Sequence, residues 1–133
     1  MPIHIHWDDD EKTVLRHDFE GEWTWGEFFE LMRERNAHMS SVEHRVDVIA
    51  NMKPGIMPIG FALNSAKTSL RTVPSNHGVF VIVVNAVVST MLDIFKQFDR
   101  DTGMMLRAAN SVEEAREIIR QERQKDSQDK PEV

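Results

Sequence analysis

Residues 79–84, Val-Phe-Val-Ile-Val-Val, form an unbroken run of apolar side chains between Gly78 and Asn85. A run without polar alternation is typical of a strand that is buried on both faces of a sheet. The pattern therefore predicts a central strand. Residues 86–98 change to helical spacing, and the apolar surface of this predicted helix is wider than one sheet face would cover.

The amino-terminal part of the chain predicts a hairpin and a helix. Residues 3–7 alternate between apolar and polar side chains, and residues 13–18 predict the returning strand. Thr24 followed by Glu27 has the spacing of a capping box, which starts a helix. We expect this helix to bury Trp25, Phe28, Phe29 and Met32 and to turn Glu30, Arg33, Glu34 and Arg35 to solvent.

Further strands and helices alternate along the rest of the chain. Residues 45–51 predict a third strand, residues 61–70 a short second helix, and residues 104–108 a fifth strand. Ser111 with Glu114 makes a second capping box. The final helix that it starts is expected to bury Val112, Ala115, Ile118 and Ile119.

The order of elements is thus β-β-α-β-α-β-α-β-α. This order predicts an α/β fold with a mixed, mostly parallel sheet, right-handed crossovers and one antiparallel hairpin at the amino-terminal end. We expect a single domain over residues 1–123. Residues 124–133 are too polar to contribute to a core, and they are expected to form a disordered tail.

Composition excludes several classes of function. The chain has no cysteine, so neither a disulfide nor a thiolate site is possible. Its net charge is −6, from 22 acidic and 16 basic residues, and no basic patch stands out, so we expect no nucleic-acid partner. No apolar run is long enough to cross a membrane, and the amino terminus lacks the features of a signal peptide. We therefore expect a cytoplasmic protein without a membrane partner.

Candidate catalytic chemistry is limited to histidines. His4 and His6 lie on one face of the first strand, and His17 on the returning strand could complete a zinc site or a histidine-lined enzyme site. Polar side chains on an open hairpin more often simply face water. Because the chain also has no Gly-x-Ser-x-Gly motif and no glycine-rich phosphate loop, we expect no enzyme, no cofactor and no metal.

A loop over residues 52–60 combines two prolines and two glycines with several methionines and isoleucines. An apolar loop and the wide apolar surface of the 86–98 helix both require a packing partner. That partner is either the core of this protein, a protein that docks on the loop, or a second copy of the chain in a homodimer. The candidate interaction residues are Ile56, Met57, Ile59, Phe61, Val87, Met91, Ile94 and Phe98.

The order of elements, the loop with its glycines and prolines, and the segments 46–70 and 79–98 resemble the STAS domain of anti-sigma-factor antagonists. The resemblance spans residues 2 to about 123. It implies a STAS-like fold and a non-enzymatic, regulatory domain that docks on protein partners.

The same family typically carries Asp-Ser-Ser-Gly before its second helix, where a partner kinase phosphorylates a serine. When Gly60 is placed on the glycine of that motif, Met57, Pro58 and Ile59 occupy the other positions. No hydroxyl is present there, so we do not expect the phosphorylation switch.

Three functional hypotheses follow. The first is a STAS-like protein-interaction module that lacks the switch. The second is a carrier or binding domain for an apolar small molecule, with the loop as a lid over a pocket beside Trp23 and Trp25. The third is an enzyme that uses the histidine-lined face.

Overall fold

The computed structural model describes three segments of the chain, residues 3–56, 74–84 and 105–129, and the single positions 96 and 100. The described residues form seven strands and two helices. In chain order these are β1 (Ile3–Trp7), β2 (Val14–Phe19), β3 (Gly21–Glu22), α1 (Trp25–Ser40), β4 (Val46–Asn51), β5 (Gly55–Ile56), β6 (His77–Val83), β7 (Leu106–Ala109) and α2 (Val112–Asp129).

Five strands form one sheet in the spatial order β1-β2-β4-β6-β7, and β3 pairs with β5 in a separate ladder of two strands. The predicted α/β class with a mixed sheet is confirmed, as is the interior position of β6. The sheet is only partly parallel, because β1 runs antiparallel to β2 while the other neighbours run parallel. The helices predicted over 61–70 and 86–98 lie outside the described segments, and the sequence did not predict β3 or β5.

The two helices cover opposite faces of the sheet. Because side chains alternate along a strand, Val48 points to one face and Ile49 to the other. We call these the α1 face and the α2 face. The α1 face carries Leu15, Phe19, Val46, Val48, Ala50, Phe80 and Leu106, packed against Phe28, Leu31, Met32 and Met39 of α1. The α2 face carries Val14, Ile49, Val79, Val81, Val83 and Ala109, packed against Ala115 and Ile119 of α2.

Helix α1 begins with the predicted capping box. The backbone N–H of Glu27 donates to the Thr24 hydroxyl at 3.1 Å, and the Thr24 N–H donates to the Glu27 carboxylate at 3.1 Å. One prediction for this helix is wrong, because Arg35 is fully buried rather than exposed. Its position explains this, since Arg35 lies three residues after Met32 and four residues before Met39, on the buried stripe of the helix.

Helix α2 also begins as predicted, because the N–H of Glu114 donates to the Ser111 hydroxyl at 3.0 Å. Ala115 and Ile119 are buried, in agreement with the predicted stripe. The helix continues to Asp129 instead of ending near residue 123. Residues 124–129 contain neither glycine nor proline, so nothing in that stretch interrupts helical backbone geometry.

A buried carboxylate fastens α2 to the sheet. Asp47 in β4 has no exposed surface, and its Oδ1 accepts hydrogen bonds from the Val79 N–H at 2.7 Å and from Arg45 Nε at 3.0 Å. Its Oδ2 accepts from Arg123 Nε of α2 at 2.7 Å. Arg123 also donates through Nη2 to the carbonyl of Thr13 at 2.9 Å, which connects α2 to the segment before β2.

Gly78 makes room for this carboxylate. A Cβ atom at that position would lie 2.0 Å from Asp47 Oδ1 and 2.4 Å from Arg45 Nε. Such distances are far inside van der Waals contact, and the groups that would have to move are held in an ion pair. The absence of a side chain at Gly78 is therefore a requirement of the Asp47 site.

We predict that Gly78→Ala lowers the free energy of unfolding by about 3 kcal/mol or more, because the methyl group displaces a buried carboxylate from its partners. Urea denaturation followed by circular dichroism measures this change. Gly26→Ala is the matched control, since a Cβ there meets only the Thr24 hydroxyl at 3.8 Å. In the helix this control should be neutral or stabilising by up to about 1 kcal/mol. Equal effects of the two substitutions would contradict the role of Gly78.

Candidate functional site

The start of the apolar loop is held by the β3–β5 ladder. Gly21 pairs with Gly55 and Glu22 pairs with Ile56, in parallel orientation. Gly21 has a φ of 61°, a left-handed conformation that glycine adopts without strain. Because only Trp23 separates β3 from Thr24, the N-cap of α1, the first residues of the loop lie beside the segment that leads into α1.

Further hydrogen bonds fix the segment between β4 and the loop. The N–H of Met52 donates to the carbonyl of Val83 at 3.0 Å, and Lys53 Nζ donates to the carbonyl of Asn110 at 2.7 Å. The segment is therefore tied both to the end of β6 and to the turn before α2. The loop thus leaves the sheet from a fixed point at the carboxyl ends of the parallel strands.

The predicted interaction residues fall mostly beyond the described residues. Ile56 belongs to β5, and its backbone position is described above. The other seven lie outside the described residues, and their roles stay predictions: Met57, Ile59, Phe61, Val87, Met91, Ile94 and Phe98.

The hypothesis of a three-histidine face is wrong for these residues. His4 and His6 are exposed, whereas His17 is fully buried on the α1 face. The register explains the separation, because His17 pairs with Ile5, whose side chain points to the opposite face from those of His4 and His6. Among the described residues, no group of three or more histidine, aspartate or glutamate side chains is arranged to hold a metal ion.

His4 and His6 instead lie near carboxylates. His4 Nε2 is 4.0 Å from Glu20 Oε2, and His6 Nε2 is 3.5 Å from Asp18 Oδ2. Asp18 is already bound by other groups, since its Oδ1 accepts from Arg16 Nε at 2.9 Å and from Asn51 Nδ2 at 3.0 Å. The Asp18 carboxylate therefore joins the ends of β2 and β4.

A second carboxylate attaches α2 to the hairpin. Asp8 accepts two hydrogen bonds from Arg116, from Nε and Nη2, each at 2.8 Å. Arg16 Nη1 lies 3.5 Å from the same carboxylate. The hydrogen bond from Arg116 lowers the pKa of Asp8, and the charge of Arg16 adds to this effect. This carboxylate is occupied by two arginines, so its position is explained by the fold.

The α1 face contains a group of ionisable side chains that the fold does not explain. Arg35, His17 and His77 surround the ring of Phe80, and we call these three the Arg35 cluster. The Cζ atom of Arg35 lies 6.0 Å from the Phe80 ring centroid. The rings of His17 and His77 lie 6.4 Å and 6.2 Å from it. These residues come from α1, β2 and β6, so the cluster exists only in the folded chain.

Burial shifts every member of the Arg35 cluster toward its neutral form. It lowers the pKa of Arg35 to about 10. Burial, followed by the positive charge of Arg35, lowers the pKa of His77 to about 4. The same two causes, in the same order, lower the pKa of His17 well below its ordinary value. At neutral pH both histidines are therefore uncharged, and the guanidinium is the one full charge of the cluster.

Several polar atoms of the Arg35 cluster have no hydrogen-bond partner within the described part of the chain. They are Nη1 of Arg35, both ring nitrogens of His17 and Nε2 of His77. Buried polar groups in native proteins are normally paired, so each exception requires an explanation. Sequence reasoning placed Arg35 at the surface and weighed His17 as a zinc ligand or as part of a histidine-lined enzyme site, together with His4 and His6. The available signal was the position of Arg35 within an apolar stripe.

Comparisons with known proteins add no relative. The chain matches no protein-family model, no curated protein and no solved structure. None of the helices in the described segments combines the length and hydrophobicity that a membrane crossing requires.

The buried histidines predict a loss of stability in mild acid. The unfolded state takes up protons on histidine near pH 6.5, whereas folded His77 does so only near pH 4. The free energy of unfolding should therefore be highest above pH 6.5 and fall toward pH 4, by roughly 3 kcal/mol from His77 alone. His17 acts in the same direction. Urea denaturation at several pH values between 7 and 4 measures this slope.

Substitution of His17 tests the assignment of that slope. His17→Leu removes one of the two imidazoles of the Arg35 cluster, so stability should depend less steeply on pH between 6.5 and 4. His4→Leu removes an exposed imidazole, whose side chain is 55% accessible, and should leave the slope as in the wild type. A slope that is equally steep in His17→Leu and the wild type would contradict the prediction.

Proposed function

We propose that this chain is a non-enzymatic, cytoplasmic protein-interaction module of the STAS type, without the phosphorylation switch, and that its protein partner docks on the apolar loop. The observation that carries the proposal is the β3–β5 ladder. It holds the first loop residues, Gly55 and Ile56, in one backbone position beside the start of α1.

A fixed starting point favours binding. A flexible loop loses conformational entropy when a partner orders it, and this loss reduces the affinity. The ladder, with the bonds of Met52 and Lys53, removes part of that loss before the partner arrives. Methionine side chains such as Met57 suit such a contact, because an unbranched thioether adapts its shape to different surfaces.

The charges beside the loop indicate what kind of partner surface fits. Glu22, in β3, and Glu20, which precedes β3, are both exposed. An apolar contact with acidic residues at its margin is complemented by an apolar patch with lysine or arginine around it. We therefore expect the partner to present a basic rim, and we expect association to slow as ionic strength rises.

Site-specific photocrosslinking tests the proposal in cells that produce the full chain. A benzophenone amino acid at position 57 should yield one discrete crosslinked product with a protein that mass spectrometry then identifies. The control position is Glu11, an exposed residue in the turn before β2, at the amino ends of the parallel strands and so at the opposite end of the sheet from the loop. Crosslinks at position 57 that are absent or identical to those at position 11 would contradict docking on the loop.

A charge substitution supplies the second part of this test. Ile59→Glu should weaken crosslinking from position 57 by about tenfold or more, because a carboxylate buried in an apolar contact costs at least about 1.4 kcal/mol. Circular dichroism verifies that the variant is folded. A crosslinked product that contains two copies of the chain would identify the partner as a second copy, and the complex as a homodimer.

A further inference from the structure

The two fully buried ionic side chains of the described residues differ in how their charge is balanced. Asp47 is bound by the guanidinium groups of Arg45 and Arg123. Arg35, on the other face, donates through Nε and Nη2 to the uncharged amide oxygen of Asn36, at 3.3 Å and 3.1 Å, and to no other acceptor among the described residues. Within the described segments the charge of Asp47 is compensated by two arginines, and that of Arg35 is not compensated by any carboxylate.

No carboxylate in the described part of the chain forms an ion pair with Arg35. Burial lowers its pKa to about 10, and no acidic group among the described residues counteracts this by holding the positive charge. The ring of Phe80, at 6.0 Å, offers at most a weak cation–π contact. A guanidinium in such a position costs several kcal/mol of desolvation without an equivalent return.

The free donors of the Arg35 cluster suit an anion. Arg35 Nη1 has a hydrogen to donate and no acceptor among residues 3–56, 74–84 and 105–129, and one ring nitrogen of neutral His17 carries a second such hydrogen. His77 directs Nδ1 to the carbonyl of Gly78 at 2.9 Å, so this imidazole is held in place by the backbone. Two donors from two different elements therefore remain without an acceptor from the described segments in one buried region.

The single positive charge of Arg35 favours a monovalent anion over a divalent one. One guanidinium balances one negative charge, whereas a phosphate dianion would leave an uncompensated charge in an apolar interior. A carboxylate is monovalent and planar, and its two oxygens can accept from two donors. Phe80, Leu15 and Met39 belong to the surrounding apolar core, which favours an apolar body on the ligand.

We propose that the Arg35 cluster binds the carboxylate of a small organic acid with an apolar body, with Arg35 Nη1 and His17 donating to its oxygens. This site uses none of the loop residues of the proposed docking surface. Failure of either proposal therefore leaves the other intact.

Isothermal titration of the full chain with benzoate tests the proposal, and benzamide serves as the uncharged probe of the same shape. Benzoate should bind saturably and at least tenfold more tightly than benzamide. This comparison uses the wild-type protein, so it does not depend on the folding of any variant.

Two arginine substitutions on α1 locate the site. Arg35→Met should weaken benzoate binding at least tenfold, whereas Arg33→Met, at an exposed position on the same helix, should leave it unchanged. The proposal is overturned if benzoate does not bind, which would mean that water alone occupies the cluster. It is also overturned if either tenfold difference is absent.

Discussion

The carboxylate of Asp47 joins three parts of the protein that are distant in sequence. It accepts hydrogen bonds from the backbone of Val79 in β6 and from Arg45 before β4, and it binds Arg123 of α2. A buried charge that loses one partner destabilises a protein by several kcal/mol. The central strands and the last helix must therefore assemble together, and Gly78 must lack a side chain for them to do so.

The same sheet carries a buried charge of the opposite sign on its other face, and there the balance is incomplete. Arg35 is as deeply buried as Asp47, yet within the part of the chain that the structure describes its one hydrogen-bonded acceptor is the amide of Asn36. Natural proteins tolerate such costs mainly where function requires them. The contrast separates a side chain that the fold needs, Asp47, from one that we assign to binding, Arg35.

Local patterns predicted the five strands of the main sheet and the starts of both described helices, because capping boxes and periodicity act within a few residues. The pairing of Gly21 with Gly55 has no local signal, so the ladder that holds the loop could not be predicted. The position of Arg35 within the apolar stripe of α1 indicated that it is buried. It was predicted at the surface because its side chain is charged. The sheet face to which the His17 side chain points depends on the register of the β1–β2 hairpin. That register is known only from the three-dimensional structure.

The most direct test of whether Arg35 is retained at the expense of stability compares two single variants, one at each buried charge. Urea denaturation of the ligand-free protein at pH 7 gives the free energy of unfolding for Arg35→Met and for Arg123→Met. Arg123→Met should lower it by about 3 kcal/mol, because Asp47 loses an ionic partner, whereas Arg35→Met should leave it unchanged or raise it. A loss in Arg35→Met as large as that in Arg123→Met would contradict this account.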